Sequence, residues 1–86
     1  MNNETSTTAQ ITNISQLDKA NVVLKGLATS VTTDDRKTAE KKLGISRYSI
    51  VIYLKGEGKS LDTAMSLIEF FQKRIEDRDK RLEGAA

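Results

Sequence analysis

The fold of this chain is decided by residues 43–54, which read LGISRYSIVIYL. A Gly directly after Leu43 can adopt the left-handed conformation that ends a helix, and Ser46 can cap the next helix two residues later. Only about three residues then remain for the chain to change direction. The stretch therefore predicts a tight helix-turn-helix centred on Gly44.

The residues after this turn leave two structures open. Residues 50–54, IVIYL, form a continuous apolar and mostly β-branched run, and such a run is compatible with a buried strand or a short helix. Ile50, Tyr53 and Leu54 lie at the i, i+3, i+4 spacing of one helical face, and no partner strand is evident elsewhere in the sequence. We favour the helix.

Two helices are predicted before the turn. Residues 15–18, SQLD, have the form of a capping box, and apolar residues recur at steps of three and four from Leu17 to Val31. Residues 32–35, TTDD, combine capping hydroxyls with acids suited to the positive end of a helix dipole. They predict a second, shorter helix that buries Ala39 and Leu43 and ends at Gly44.

The last predicted helix is the longest and runs from Leu61 to about Leu82. It follows residues 55–59, KGEGK, which read as a polar, flexible connector. Leu61, Ile68, Ile75 and Leu82 lie seven residues apart in it, but its apolar face is broad only as far as Phe71. We expect the first half to join the core and the second to be a charged, exposed extension.

These elements together predict one small all-α domain of four helices. A chain of 86 residues has room for a single core. Residues 1–14, rich in Asn, Thr and Ser, are predicted to be a flexible N-terminal tail. The helix-turn-helix domain is predicted over residues 15–72 and the charged helical extension over residues 73–86.

The composition argues against an enzyme. The chain has no Cys and no His, which removes thiol nucleophiles, thiolate metal sites and the usual proton-transfer group near neutral pH. Residues 56–60, GEGKS, end like a phosphate-binding loop, but Tyr53 stands where that motif needs its first Gly. We expect no catalytic residue, metal, cofactor or small-molecule substrate, and a nucleotide-dependent enzyme built on Lys59 and Ser60 is the weakest alternative.

No apolar run approaches the roughly 18 to 20 residues that span a bilayer, so we expect a soluble cytoplasmic protein without a membrane partner. Its charge is unevenly distributed. From Arg36 to Lys59 there are seven Lys or Arg and two Glu, a local charge of +5 in a chain whose net charge is +2. This middle third is where a polyanion is expected to bind.

Residues 37–56, KTAEKKLGISRYSIVIYLKG, resemble the helix-turn-helix of Cro- and lambda-repressor-like regulators. That family has a Leu-Gly-Ile-Ser turn before a recognition helix that closes on Tyr-Leu-x-Gly. The resemblance covers about residues 34 to 83, and residues 58–65, GKSLDTAM, look like small regulators of phages and mobile elements. The chain departs from the pattern at Glu40, where the family usually has a small residue, and Ala39 lies one position earlier. A slight rotation of the second helix is therefore expected.

The resemblance implies sequence-specific binding of double-stranded DNA by a small transcriptional regulator. The helix after a tight turn can enter the major groove, where Arg reads guanine and apolar side chains contact thymine methyls. The predicted base contacts are Arg47, Tyr48, Val51, Ile52 and Lys55, although Val51 and Ile52 could equally complete the core. The predicted phosphate contacts are Lys37, Lys42, Ser46 and Lys59.

A protein-interaction module is the main alternative, with residues 50–54 or the last helix as the binding surface. Ile75 and Leu82 have no evident use in the core of a monomer, and they predict a weak homodimer that DNA favours. A solvated helix laced with i, i+4 charge pairs is the simpler explanation of the same segment. The acidic pairs Asp34–Asp35 and Glu76–Asp77 are predicted to be helix caps and surface charges.

Overall fold

Residues 15–85, which the computed structural model describes, form four α-helices and no strand. The helices are α1 (Gln16–Leu27), α2 (Thr33–Leu43), α3 (Arg47–Leu54) and α4 (Leu61–Ala85), and a 3-10 turn (Ala28–Ser30) follows α1. The predicted all-α fold with its long C-terminal helix is confirmed, and residues 50–54 are helix. The predicted tail, residues 1–14, lies outside the described residues.

Hydroxyl side chains begin all four helices. Ser15, Thr32, Ser46 and Ser60 each accept a hydrogen bond from the backbone N–H three residues ahead, at 3.0, 3.0, 3.1 and 3.3 Å respectively. Each bond satisfies an amide that has no partner inside its helix. Gly44 ends α2 in the left-handed conformation, with φ of 68°. The bounds of α2 and α3, and the turn between them, therefore follow from local sequence.

The core lies where α1 and α4 meet and α2 and α3 pack across them. Ala39 is fully buried on α2, while its neighbour Glu40 is only half-buried, so the small residue faces the core in spite of the shifted pattern. The buried hydrophobic side chains come from every helix and from the segment after the 3-10 turn: Ala20, Leu24, Val31, Ala39, Ile50, Tyr53, Leu54, Ala64, Leu67 and Phe71.

The connector between α3 and α4 is tied to the domain, which corrects the prediction that it is flexible. Gly58 is buried, and the Asn21 side chain binds it twice: Oδ1 accepts from the Gly58 N–H at 3.1 Å, and Nδ2 donates to the Gly58 carbonyl at 3.0 Å. The Tyr53 hydroxyl accepts from the Ser60 N–H at 2.8 Å. In the sequence the glycines indicate flexibility, but here they let polar groups from α1 and α3 reach the backbone.

A buried ion cluster, formed by Asp35, Arg74 and Arg78, ties the start of α2 to α4. Asp35 is 1% exposed and accepts from Arg74 Nε at 2.8 Å and from Arg78 Nη1 at 3.2 Å. Arg78 Nη2 also donates to the Ser30 carbonyl at 2.8 Å. Of the prediction that Asp34 and Asp35 are helix caps and surface charges, the capping role is correct for Asp35, whose Oδ2 accepts from the Thr32 N–H at 2.9 Å. It is not a surface charge, because it is buried against arginine partners that are far away in sequence.

The ion cluster also lengthens the part of α4 that belongs to the domain. Contacts with the rest of the chain reach Arg78, six residues past the predicted boundary at residue 72. Ile75 is partly buried against the core, so it does have a use in a monomer. Leu82, by contrast, is 64% exposed. The exposed extension therefore begins after Arg78.

Candidate nucleic-acid interface

The outer face of α3 carries four of the five predicted base-contacting residues. Ser46 caps this helix three residues after α2 ends, so its first turn stands at the surface. At about 100° per residue, Arg47, Tyr48, Val51 and Lys55 occupy one continuous side of the helix. All four are exposed, and Tyr48 is 77% exposed. Four of the residues that the sequence predicts to contact bases therefore form one continuous exposed surface.

The fifth residue, Ile52, lies at the edge of this face and is half-buried. On the opposite side of α3, Ile50, Tyr53 and Leu54 are buried in the core. Val51 is 37% exposed, which leaves its methyl groups accessible to a partner. Of the two apolar candidates, Val51 is thus the better placed for contact with DNA.

A groove of about 330 Å³ runs beside Val51 and Lys55 and is also lined by Ala28, Arg36 and Leu54. Arg36 lies in the first turn and a half of α2 and donates to the Thr33 hydroxyl at 3.1 Å. It belongs to the basic run in the sequence but was not among the predicted contacts. Helical wheels of α2 and α3 could not place Arg36 beside Val51, because their distance depends on the angle at which the two helices pack.

A second groove, of about 340 Å³, lies beside the start of α3. It is lined by Arg47 together with Asp34, Lys37, Thr38, Glu40 and Lys41. The structure thus places the predicted phosphate contact Lys37 next to the predicted base contact Arg47. Lys41, which was not among the predicted contacts, lines the same groove.

Arg47 has an acidic neighbour across this groove. Its Nε lies 3.7 Å from Glu40 Oε1, and the two side chains are 59% and 41% exposed. An ion pair of this exposure contributes about 0 to 1 kcal/mol, so a stronger ligand can compete for Arg47. Asp34, the other acid of the groove, is bound to Arg74 Nη2 at 3.1 Å.

The remaining predicted phosphate contacts stand at both ends of α3. Lys42 is exposed near the end of α2, and Lys59 is exposed in the connector just before α4. Ser46 is exposed as well, but its hydroxyl is engaged locally: it accepts from the Ser49 N–H and donates to Ser49 Oγ, both at 3.1 Å. The lysines are available to a polyanion, whereas Ser46 has a structural use.

The two residues predicted to form a dimer interface do not lie on one open surface. Ile75 packs against the core and Leu82 is exposed beyond it. Over residues 15–85 no group of three or more acidic side chains could hold a metal ion. Within the same range no helix is both long and apolar enough to cross a membrane.

Comparison with protein-family models, with curated proteins and with solved structures finds no match to this chain.

Proposed function

We propose that this chain binds double-stranded DNA in a sequence-specific manner through α3, as a small transcriptional regulator of the Cro- and lambda-repressor-like kind. The observation that carries the proposal is the outer face of α3, where Arg47, Tyr48, Val51 and Lys55 are exposed on one side of a helix entered by a three-residue turn. A helix with its side chains is about 10 to 12 Å wide and fits the major groove, which is about 12 Å wide.

Each side chain of this face is assigned a contact with the DNA. Arg47 donates two hydrogen bonds to O6 and N7 of guanine, and Val51 contacts a thymine methyl group. Tyr48 reaches a base edge or a phosphate, and Lys55 donates to an acceptor at the far end of the helix. Ile52, at the edge of the face, adds apolar contact.

Cations around the face bind the DNA backbone. Lys37, Lys42 and Lys59 keep the role that the sequence predicts. Lys41 joins them because it lines a groove with Arg47, and Arg36 because it lines a groove with Val51 and Lys55. Contacts with phosphates set the position of a protein on DNA without reading its sequence. We propose a cytoplasmic binding protein, not an enzyme, with no cofactor and no small-molecule substrate.

One observation favours a second function, a protein-interaction module on α4. Leu82 is exposed beyond the ion cluster, and Met65 is 46% exposed nearer the start of the same helix. A second copy of the chain is the partner we propose for Leu82, in a weak homodimer that DNA favours, because one helix-turn-helix reads only a few base pairs.

Titration of a fluorescent duplex at several salt concentrations tests DNA binding. The full chain should bind with an affinity that falls steeply with salt, with a slope of log affinity against log salt steeper than about −3, because each neutralised phosphate releases counterions. Lys59→Ala should make the slope less steep by about one, whereas the matched control Lys80→Ala, on the exposed end of α4, should leave it unchanged. An affinity that stays constant between low and moderate salt would contradict the proposal.

A further inference from the structure

We propose that Glu40 contributes to base specificity: its ion pair biases the Arg47 guanidinium towards a contact with guanine and penalises duplexes that leave Arg47 without guanine. This inference rests on the proposed DNA-binding function and deepens it. Glu40 makes no predicted contact with DNA itself, so its role is to position Arg47.

The geometry of the pair supports this role. Glu40 Oε1 lies on the Nε side of the guanidinium, 3.7 Å from that nitrogen. A guanidinium has five N–H donors in a rigid plane, so a carboxylate on the Nε edge leaves the paired Nη groups facing away from it. Within residues 15–85 the structure records no other polar partner for the Arg47 side chain. The Nη groups therefore remain available to O6 and N7 of guanine while Glu40 stays beside Nε.

The charges around Glu40 support a loss of affinity for duplexes that leave Arg47 without guanine. In its groove Glu40 stands among Lys37, Lys41 and Arg47, and the other acid, Asp34, is already bound to Arg74. A carboxylate beside the start of a DNA-reading helix repels the phosphates of any duplex. Where a duplex offers no guanine, Arg47 stays paired with Glu40, so its charge is partly neutralised and does less to offset the repulsion. Glu40 thus lowers affinity for every duplex and lowers it most for the wrong ones.

A purely structural role does not account for Glu40. The buried residues of α2 are Asp35 and Ala39, whereas the Glu40 side chain is 41% exposed. Ion pairs between exposed side chains add little to stability. Replacement of Glu40 should therefore leave the fold intact, and an effect on DNA binding can be measured in folded protein.

The test uses the full chain and a duplex selected by the wild type from a random pool. Affinity is measured for this duplex, for variants with each G·C pair changed to A·T, and for an unrelated duplex. Glu40→Gln should bind the unrelated duplex about three- to tenfold more tightly. Its preference for the selected duplex over the variant that loses the Arg47 contact should fall at least about threefold. Glu83→Gln, the same charge change at the exposed end of α4, should alter neither value.

Two further variants separate the effect of the position of the Glu40 carboxylate from the effect of its charge. Glu40→Asp keeps the charge but shortens the reach to Arg47, so it should lose base preference without a gain in affinity for the unrelated duplex. In an Arg47→Ala background, Glu40→Gln should no longer change the preference. A preference that is the same in wild type and Glu40→Gln overturns the inference while DNA binding stands. Wild-type protein that binds no duplex at low salt overturns the proposed function and this inference with it.

Discussion

Gly58 lies between the side chains of Asn21 and Tyr53, and a Cβ atom added there would overlap the Tyr53 ring. Substitution by Ala must displace that ring or the connector, and overpacking of this kind typically costs about 1 to 3 kcal/mol. Gly26, exposed in the last turn of α1, has nothing within 4 Å of its added Cβ. It provides a matched control, because Ala in a helix stabilises by up to about 1 kcal/mol relative to Gly.

We therefore expect Gly58→Ala to lower the free energy of unfolding by about 2 kcal/mol and Gly26→Ala to raise it by up to about 1 kcal/mol. Urea denaturation followed by circular dichroism measures both. Equal stabilities for wild type and Gly58→Ala would mean that the connector is as loose as its sequence suggests.

Asp35 is the buried charge on which the junction of α2 and α4 depends. Burial by itself raises the pKa of this carboxyl, but the hydrogen bond from the Thr32 backbone and the guanidinium groups of Arg74 and Arg78 outweigh it and hold the pKa below its ordinary value. Asp35→Asn keeps the shape and removes the charge. It should cost about 3 kcal/mol at pH 7, near the low end for a broken buried ion pair, since both arginines remain about one-third exposed.

The lowered pKa gives this prediction a pH dependence. A carboxyl whose pKa is lower in the folded state stabilises the fold above its unfolded pKa of about 3.9, and that contribution is lost as the pH falls through the folded value. The stability difference between wild type and Asp35→Asn should thus be constant from pH 7 to about pH 5 and shrink below about pH 4. A difference that persists unchanged at low pH would show that the charge of Asp35 is not what stabilises the junction.

The sequence placed Asp35 at a helix start but could not reveal its burial. The capping box with Thr32 is local, and the TTDD pattern predicts it. Arg74 and Arg78 lie 39 and 43 residues further along, so their contact with Asp35 depends on how α4 packs. A run of alternating charges looks the same whether its members face solvent or a buried partner.

At the scale of the element, α3 shows where local sequence reasoning ends. Its cap, its preceding turn and its buried face at Ile50, Tyr53 and Leu54 were all predicted. The choice between helix and strand was decided by packing, because α1 and α2 supply the apolar surface that buries this face. Four of the five predicted base contacts lie on the outer face, whereas the positions of Arg36 and Lys41 beside it depend on how α2 packs against α3.

If α3 is the reading element, Arg47→Ala and Lys59→Ala should weaken DNA binding in different ways. Arg47→Ala should cost roughly 1 to 3 kcal/mol on the selected duplex and relax base preference at one position, because a bidentate guanine contact is lost. Lys59→Ala should weaken all duplexes alike. Parallel titrations with selected and random duplexes make the comparison. A loss from Arg47→Ala that is the same for both would reduce Arg47 to a phosphate contact.

At the scale of the whole molecule, the extension of α4 makes the protein elongated, with extents of 57 × 31 × 17 Å. The seven-residue spacing predicted the helix correctly, but it gave Ile75 and Leu82 the same role. Ile75 packs on the core and Leu82 does not. Periodicity along one helix cannot tell which of its apolar residues a neighbouring helix covers.

Of the two residues predicted to form the homodimer interface, only Leu82 is therefore available to a second copy. We expect a monomer in dilute solution and a dimer on DNA. Leu82→Asp should abolish the dimer. It should leave the stability of the monomer unchanged, because this side chain is exposed. Sedimentation of both proteins, with and without DNA, measures this. If wild type and Leu82→Asp are both monomeric and bind DNA equally well, the homodimer prediction is wrong and the extension is solvated.

The most direct test of the central claim maps the amide signals of the ¹⁵N-labelled full chain as the selected duplex is added. The signals of residues 47–55 and of Arg36 and Lys37 should shift most, because these residues lie at the proposed interface. Those around Val22, which is 69% exposed on the outer side of α1, should stay in place. Bound protein whose α3 signals do not move would contradict the claim that α3 reads DNA.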